Sequence, residues 1–339
     1  MSNKKAYFIS DDKLNGFIES LNEKVPVYVP QRFDRADGTG IYTEYRPYGE
    51  GEVDLESRTL LSVKSIFLPQ CEVILGFTTN EERVDVVSEA PSDERVLFSI
   101  RNCDFEAVRR LDLLFGWDYR DEFWFARREN TIIVVNICDS PLDDKCFCHW
   151  VGVDPVATEL ADCVMLRAEG GYIIWRISER GDVIIDVLDK VGADEVDVPE
   201  VEAKGFDNAI EVDGSHNALF EIFTDEIWKV LEPSCIGCGI CTFVCPTCHC
   251  FEIQDEGSKR VRFWDYCTGY EFTRTEAHQP RPRQYQRYRQ RVMHKYSYYP
   301  RRFGVVGCTG CGRCISACPQ NVDIREDIVR LLKRAKVIK

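Results

Sequence analysis

Little in this 339-residue sequence would export it, anchor it or seat a nucleotide. No apolar run approaches the roughly 18 residues that suggest a membrane-spanning helix, so no direct membrane span is expected. The start, MSNKKAYFISDDK, lacks an apolar signal core, and a cytoplasmic protein is expected. No G-x-G-x-x-G follows a strand, and there is no G-x-x-x-x-G-K-[ST]. Gly38 and Gly40 in DGTGIYTE lack a strand before and a helix after, so they read as a surface turn. There is no G-x-S-x-G elbow and no H-E-x-x-H, and the five histidines are scattered, so nothing supports a hydrolytic triad or a zincin. No period of 20–50 residues recurs over residues 1–233, so no solenoid is expected there. With 44% hydrophobic and 29% charged residues, the chain can bury a core and is not disordered throughout.

What the sequence does have is cysteine: 17 of them. In a long chain without an export signal, metal or redox cysteines are the stronger reading than disulfides. They are unevenly spread, and so is charge. Residues 1–233 hold 6 cysteines, with 24 Lys and Arg against 48 Asp and Glu. Residues 234–339 hold 11 cysteines, with 19 basic against 9 acidic residues. This predicts an acidic domain over 1–233 and a second domain over 234–339, with the border at Pro233.

The first part reads as mixed α/β. Leu14, Phe17, Ile18 and Leu21 recur at helical spacing over 12–24. Residues 26–30, 65–77, 95–100 and 131–138 read as strands, and 101–115 as a turn followed by a helix. Residues 170–177 and 182–188 look like paired strands. A helix over 221–232 leads into the second part.

Two runs there share one spacing. Cys235, Cys238, Cys241 and Cys245 are followed by Pro246, and Cys308, Cys311, Cys314 and Cys318 by Pro319. Both are C-x2-C-x2-C-x3-C-P, the bacterial ferredoxin run. Three cysteines at this spacing wrap a loop around a cubane, and glycines such as Gly237, Gly239, Gly310 and Gly312 let that loop turn tightly. The fourth cysteine ligates the other cluster. Cluster one is therefore assigned to Cys235, Cys238, Cys241 and Cys318, and cluster two to Cys308, Cys311, Cys314 and Cys245. Zinc is the weaker reading, because it usually takes two separate hooks.

Between Cys245 and Cys308 lie 62 residues, far more than a compact ferredoxin needs. Residues 284–300 read as helical, with Tyr285, Tyr288, Val292 and Tyr296 near one face, so a helical two-cluster ferredoxin is expected. Residues 270–303 carry 9 basic and 2 acidic residues. Arg interleaved with Tyr is compatible with nucleic acid. Electrostatic offset of a negative cluster, docking of an acidic partner and a solvated helix face are the other readings, and no nucleic-acid partner is expected.

Nine cysteines remain. Cys146, Cys148, Cys248, Cys250 and Cys267 read either as ligands of a third [4Fe–4S] cluster between the domains or as reduced buried thiols. Cys103, at a strand-to-helix turn, is a lesser candidate. Cys71, Cys138 and Cys163 lie in apolar surroundings and read as core.

These blocks together resemble a known family. NCDFEAVRRLD (102–112), CFC (146–148), CIGCGICTFVCPTCHCFEIQD (235–255), WDYC (264–267) and CTGCGRCISACPQ (308–320) carry the resemblance, which runs from about residue 13 to residue 335. The family is that of the iron–sulfur subunits of soluble NAD(P)-linked oxidoreductase complexes. It includes the beta subunit of sulfhydrogenase-type [NiFe] hydrogenases and the matching iron–sulfur component of anaerobic sulfite reductase, with related chains in flavin-based electron-bifurcating assemblies. The resemblance implies an α+β chain: a mixed α/β domain followed by an α-helical dicluster ferredoxin domain. It also implies a flavoprotein partner that binds FAD and NAD(P) and holds a [2Fe–2S] cluster. Electrons would pass through this chain to a catalytic or second iron–sulfur subunit. The acidic stretch 187–216 departs from the family pattern.

An electron-transfer subunit rather than a catalyst is thus the main reading. The alternatives are an enzyme acting at a site-differentiated third cluster beside Cys103 and Asp104, and an iron–sulfur nucleic-acid binder resting on residues 281–302.

Overall fold

A computed structural model describes residues 5–38, 40–79, 84–159, 161–206, 210, 212, 214–231 and 235–339. The chain opens with strand β1 (Lys5–Ser10) and helix α1 (Asp11–Asn22), whose buried Leu14, Phe17, Ile18 and Leu21 form one stripe. Strands β2 (Val27–Asp34), β3 (Ile41–Pro47) and β4 (Glu52–Val53) and the short helix α2 (Lys64–Phe67) come next. Then come β5 (Cys71–Thr79), β6 (Val84–Val87), β7 (Arg95–Arg101), α3 (Asn102–Phe115) and α4 (Glu122–Glu129). Strands β8 (Thr131–Asn136), β9 (Cys163–Ala168) and β10 (Gly171–Arg176), helix α5 (Asp182–Lys190) and β11 (Asp194–Asp197) complete the first part.

These strands build a nine-stranded sheet in the order β11-β1-β10-β9-β8-β7-β2-β3, with β4 beside β2. Its centre, from β2 through β7 and β8 to β9, is parallel. Side chains alternate across it as the strand period requires. Leu97, Ile133, Val135 and Val164 face α3 and α4, in one core with Phe105, Leu111 and Trp124. Val96, Phe98, Val134 and Met165 face α1 and α5, in a second core with Phe17, Ile18 and Leu188.

The second part begins with short helices α6 (His216–Glu221), α7 (Ile227–Leu231) and α8 (Ile240–Phe243). The hairpin β12 (Phe251–Glu256) and β13 (Lys259–Trp264) joins β5 and β6 in a four-stranded antiparallel sheet. That sheet takes strands from both sides of the border expected at Pro233, a residue that lies outside the described ones. Helix α9 (Gln284–Met293) continues through a π-helical stretch (His294–Tyr298) into α10 (Tyr299–Phe303). Helices α11 (Arg313–Ser316) and α12 (Ile324–Arg334) end the fold. A third core joins α6, α7, α9 and α12 through Leu219, Trp228, Tyr288, Val292, Tyr296 and Leu331. Residues 234–339 are thus rich in helix but not wholly helical.

Several segments differ from the sequence reading. Residues 182–188 form a helix, not a strand: Ile184, Val187 and Leu188 are the buried positions, which is a spacing of three and four. The partners of β10 are β1 and β9. Residues 64–67 are helical, and the strand there starts only after Pro69. The strand expected over 26–30 runs on to Asp34, because β2·β7 pairing ends at Tyr28 and Pro30 leaves no ladder bond unmade toward β7. The helix expected over 221–232 is split in two. Asp225 accepts the Ile227 N–H at 2.9 Å and so restarts the chain as α7.

Candidate iron–sulfur centres

The first cysteine run turns twice through the left-handed region, at Gly237 (φ 71°) and Gly239 (φ 81°). Both angles favour glycine, and at Gly239 the space does too, because a Cβ there would stand 2.5 Å from the Tyr266 ring; at Gly237 it would meet only the movable end of Gln284, at 2.8 Å. Past this loop α8 carries Thr242 inward, and the chain exits through Cys245 and Pro246. The second run repeats the device at Gly310 (φ 65°) and Gly312 (φ 76°). Its loop lies against the 145–148 segment: Phe147 N–H donates to Gly310 O at 2.9 Å. A Cβ on Gly310 would stand 2.4 Å from Phe147 and Cys148 backbone atoms.

Cys235, Cys238 and Cys241 line one cavity, and Cys314 and Cys318, from the other run, stand on the same wall. Thr268 and Arg291 also line it. Thr268 Oγ1 and Arg291 Nε are buried there with no hydrogen-bond partner among the described residues. Buried donors left open toward thiols suit a sulfur-rich, negatively charged group. Gln284 Nε2 donates to Cys235 Sγ at 3.4 Å, and Val322 N–H to Cys318 Sγ at 3.3 Å.

Cys245 is held from another side. The buried Lys295 Nζ donates to Cys245 Sγ at 3.1 Å, Thr247 Oγ1 at 2.8 Å and Gly307 O at 2.9 Å, which ties the end of the first run to the start of the second. Burial works against the Lys295 charge, but the thiols of Cys245, Cys248 and Cys308 outweigh it and hold the ammonium above its ordinary range. Arg291 is governed in the same way: burial opposes its charge, and Cys241, Cys314, Cys248 and Cys245 more than offset that. Burial pushes the Cys311 thiol up to about 11 and the Cys314 thiol up to about 12. Those two thiols are protonated until a metal displaces the proton, whereas the hydrogen bond with Cys248 and the charges of Lys295 and Arg291 hold Cys245 well below its ordinary range, so that it can stand as the thiolate that sustains those cations.

The five further cysteines do not share one place. Cys248 lies against Cys245, and Cys267 against Cys250. The buried Lys64 sits nearby, its Nζ 3.8 Å over the Trp264 ring and its pKa brought down to about 8, mainly by burial. Cys146 and Cys148 instead line a second cavity, together with Cys103, Cys138 and Cys311. Both cysteine-lined cavities have a volume of about 40 Å³. Of the three cysteines read as core, only Cys163 is buried; Cys71 is exposed, and Cys138 lines this second cavity. A signal for Cys103 and Cys138 was present in the sequence. Each follows a strand of the parallel centre, and ligands gather at the carboxyl ends of parallel strands. The buried charges Lys295 and Arg291 lie in the basic stretch for which offset of a negative cluster was one reading, but the sequence did not single them out from the solvated charges around them.

Among the described residues, no three His, Cys, Asp or Glu side chains converge on a single-ion site. The thiols line cavities instead, as a polynuclear cluster several ångströms across requires. Glycine-turned loops from two runs, thiols around a cavity and buried cations behind them define an iron–sulfur protein of the dicluster class.

Comparison with known proteins accords with this. A family model described as a 4Fe-4S dicluster domain matches residues 234–322. Over 328 residues the chain is 30% identical to the sulfhydrogenase 2 subunit beta of Pyrococcus furiosus, covering 91% of this chain and 92% of that protein. The chain belongs to the family of that sulfhydrogenase beta subunit, and it is an iron–sulfur, electron-transport member of an oxidoreductase family. No helix among the described residues is long and apolar enough to cross a membrane.

Proposed function

We propose that this chain is the electron-transfer subunit of a multi-subunit oxidoreductase. It would pass electrons between a flavoprotein that binds FAD and NAD(P) and holds a [2Fe–2S] cluster, and a catalytic or second iron–sulfur subunit. Two [4Fe–4S] clusters are proposed, with Cys235, Cys238, Cys241 and Cys318 on the first and Cys308, Cys311, Cys314 and Cys245 on the second. The observation that supports this is that the second run reaches the cavity of the first, where Cys314 and Cys318 stand on the wall beside Cys235, Cys238 and Cys241; of these two, Cys318 is taken as the fourth ligand on the spacing of the run. A crossed fourth ligand is the mark of a two-cluster ferredoxin. A cubane supplies one-electron transfer without movement of its ligands.

The chain's own residues set the conditions for that transfer. Gln284 donates to a ligand sulfur, Lys295 and Arg291 place buried positive charge beside the thiols, and the α9–α10 segment braces both loops. The same use of charge speaks against a nucleic-acid face. Arg287, Arg291 and Lys295 are buried, and Arg289, Arg301 and Arg302 lie over Phe223, Phe220 and Trp117 at 3.8, 4.3 and 3.7 Å. Catalysis beside Cys103 is likewise disfavoured, because Asp104 is fully engaged by Arg313.

Serine substitutions test the crossed ligand sets. Cys318→Ser is expected to remove the same reduced-cluster resonance as Cys235→Ser, and Cys245→Ser the same one as Cys308→Ser. Pairing of Cys318 with Cys308 instead would overturn the assignment.

A further inference from the structure

The second cysteine-lined cavity holds four thiols that neither ferredoxin run uses. Cys103 stands in the first turn of α3 directly after β7, and Cys138 follows β8. Because β7 and β8 are parallel neighbours, both exits leave the sheet at one edge. Ser99, at φ 64° in β7, shifts the pairing register between Leu97 and Ile100 and so sets the exit toward Cys103. Tyr45 Oη donates to Ser99 O, and Asn136 Nδ2 to Ser99 Oγ, each at 3.0 Å, which holds that turn. Cys146 and Cys148 come from the segment pinned to Gly310 of the second run.

Guanidiniums face these sulfurs. Arg58 Nη2 donates to Cys146 Sγ at 3.1 Å and is fixed by Asp143 Oδ1 at 2.7 Å. Arg101 Nη1 lies 3.9 Å from Cys138 Sγ, and its Nη2 donates to Leu55 O at 2.7 Å. Thiols that merely fill a core are packed by apolar neighbours and need no guanidinium beside them. Cations aimed at sulfur are what a cluster with four thiolates requires.

The size of the site selects the metal. Four sulfurs around one zinc would each lie about 2.3 Å from it and so crowd together. These thiols do not converge on a single ion. They line a cavity of the same volume as the one formed by the first ferredoxin run. We propose that Cys103, Cys138, Cys146 and Cys148 hold a third [4Fe–4S] cluster between the large sheet and the second cysteine run. The proposal rests on the electron-carrier reading above and goes past it: Cys248, Cys250 and Cys267 are not its ligands. Cys311, assigned to cluster two, shares the cavity wall and places the third cluster next to the second.

Iron, acid-labile sulfide and low-temperature electron paramagnetic resonance of the full chain, purified without oxygen, test this. The wild type is expected to hold about twelve irons. Cys138→Ser with Cys146→Ser is expected to hold about four fewer, with the signals of the two ferredoxin clusters kept. Cys248→Ser with Cys250→Ser is expected to keep the wild-type iron. Cys138→Ser alone leaves three thiols and is expected to give a three-iron resonance in the oxidised protein, a readout that does not depend on the double variant folding. Wild-type iron in the Cys138/Cys146 variant, or loss that follows Cys248 and Cys250 instead, would overturn the proposal. A wild-type chain without any cubane spectrum would instead defeat the carrier reading on which it rests.

Discussion

Arg313 and Asp104 face each other through two parallel hydrogen bonds of 2.6 Å, with both side chains almost fully buried. Asp104 stands one residue after Cys103, and Arg313 one residue before Cys314, so the pair joins the large sheet to the second cysteine run. Arg313 also donates to Thr59 O at 2.9 Å and Thr59 Oγ1 at 2.7 Å, so that four of the five guanidinium N–H groups have partners here. Removing one partner leaves an uncompensated buried charge. Asp104→Ala is expected to cost about 3–5 kcal/mol in chemical denaturation. Replacing both residues with apolar side chains of similar volume is expected to recover most of that, since neither charge then remains to be desolvated.

Gly310→Ala tests the contact between the second run and the 145–148 segment. Its backbone lies in the left-handed region, and the added Cβ would meet Phe147 and Cys148 backbone atoms at 2.4 Å. Backbone atoms cannot step aside as a flexible side chain can. The left-handed angle alone costs roughly 1–2 kcal/mol, and the clash adds to it. The expected result is a lowered denaturation midpoint with loss of iron. Gly304, also at positive φ but with open space around its Cβ position, is the control: Gly304→Ala is expected to suffer only the angle and keep its iron.

Lys295→Met removes a buried positive charge that donates to Cys245 Sγ. A cluster held by Cys245 would lose both a hydrogen bond to sulfur and a compensating charge. Its reduced form, the more negative one, suffers most. A lower midpoint potential for that cluster alone is expected in a redox titration followed by electron paramagnetic resonance. An unchanged potential would separate Lys295 from the cluster.

His294 gives a pH dependence. Its ring packs against His249, with centroids 5.2 Å apart, and burial, followed by the charge of Lys295, holds its pKa down to about 4. In the unfolded chain it titrates at about 6.5. Between these values the unfolded chain binds more protons than the folded one. The contribution of neutral His294 is therefore complete above about pH 6.5 and is lost as pH falls toward about 4. The urea midpoint is expected to drop between about pH 7 and about pH 5 by less in His294→Gln than in the wild type.

The parts of this protein that announced themselves in the sequence are those whose chemistry depends on spacing. The two cysteine runs are local, and their glycines are needed for turns within the same few residues. The stripe Leu14, Phe17, Ile18 and Leu21 is local in the same sense, and α1 forms where it lies. What was illegible depends on distant chain segments. Residues 182–188 are apolar enough to read as a strand; only packing on α1 and the sheet picks out Ile184, Val187 and Leu188 as one helical face. The hairpin at 251–264 belongs to a sheet begun by β5 and β6 far earlier in the chain, so no composition boundary could reveal it. Cys138 looked like core because its neighbours in sequence are apolar, whereas its neighbours in space are Arg101 and other thiols.

The central claim is that this chain carries electrons but does not itself take them from a nicotinamide. The most direct test follows the visible absorbance of the full chain, purified without oxygen, as a reductant is added. Dithionite is expected to bleach its iron–sulfur absorbance, while NADH and NADPH leave it unchanged until a flavoprotein of the proposed kind is supplied, after which bleaching proceeds. Bleaching or turnover with NADH or NADPH by the chain alone would contradict the account.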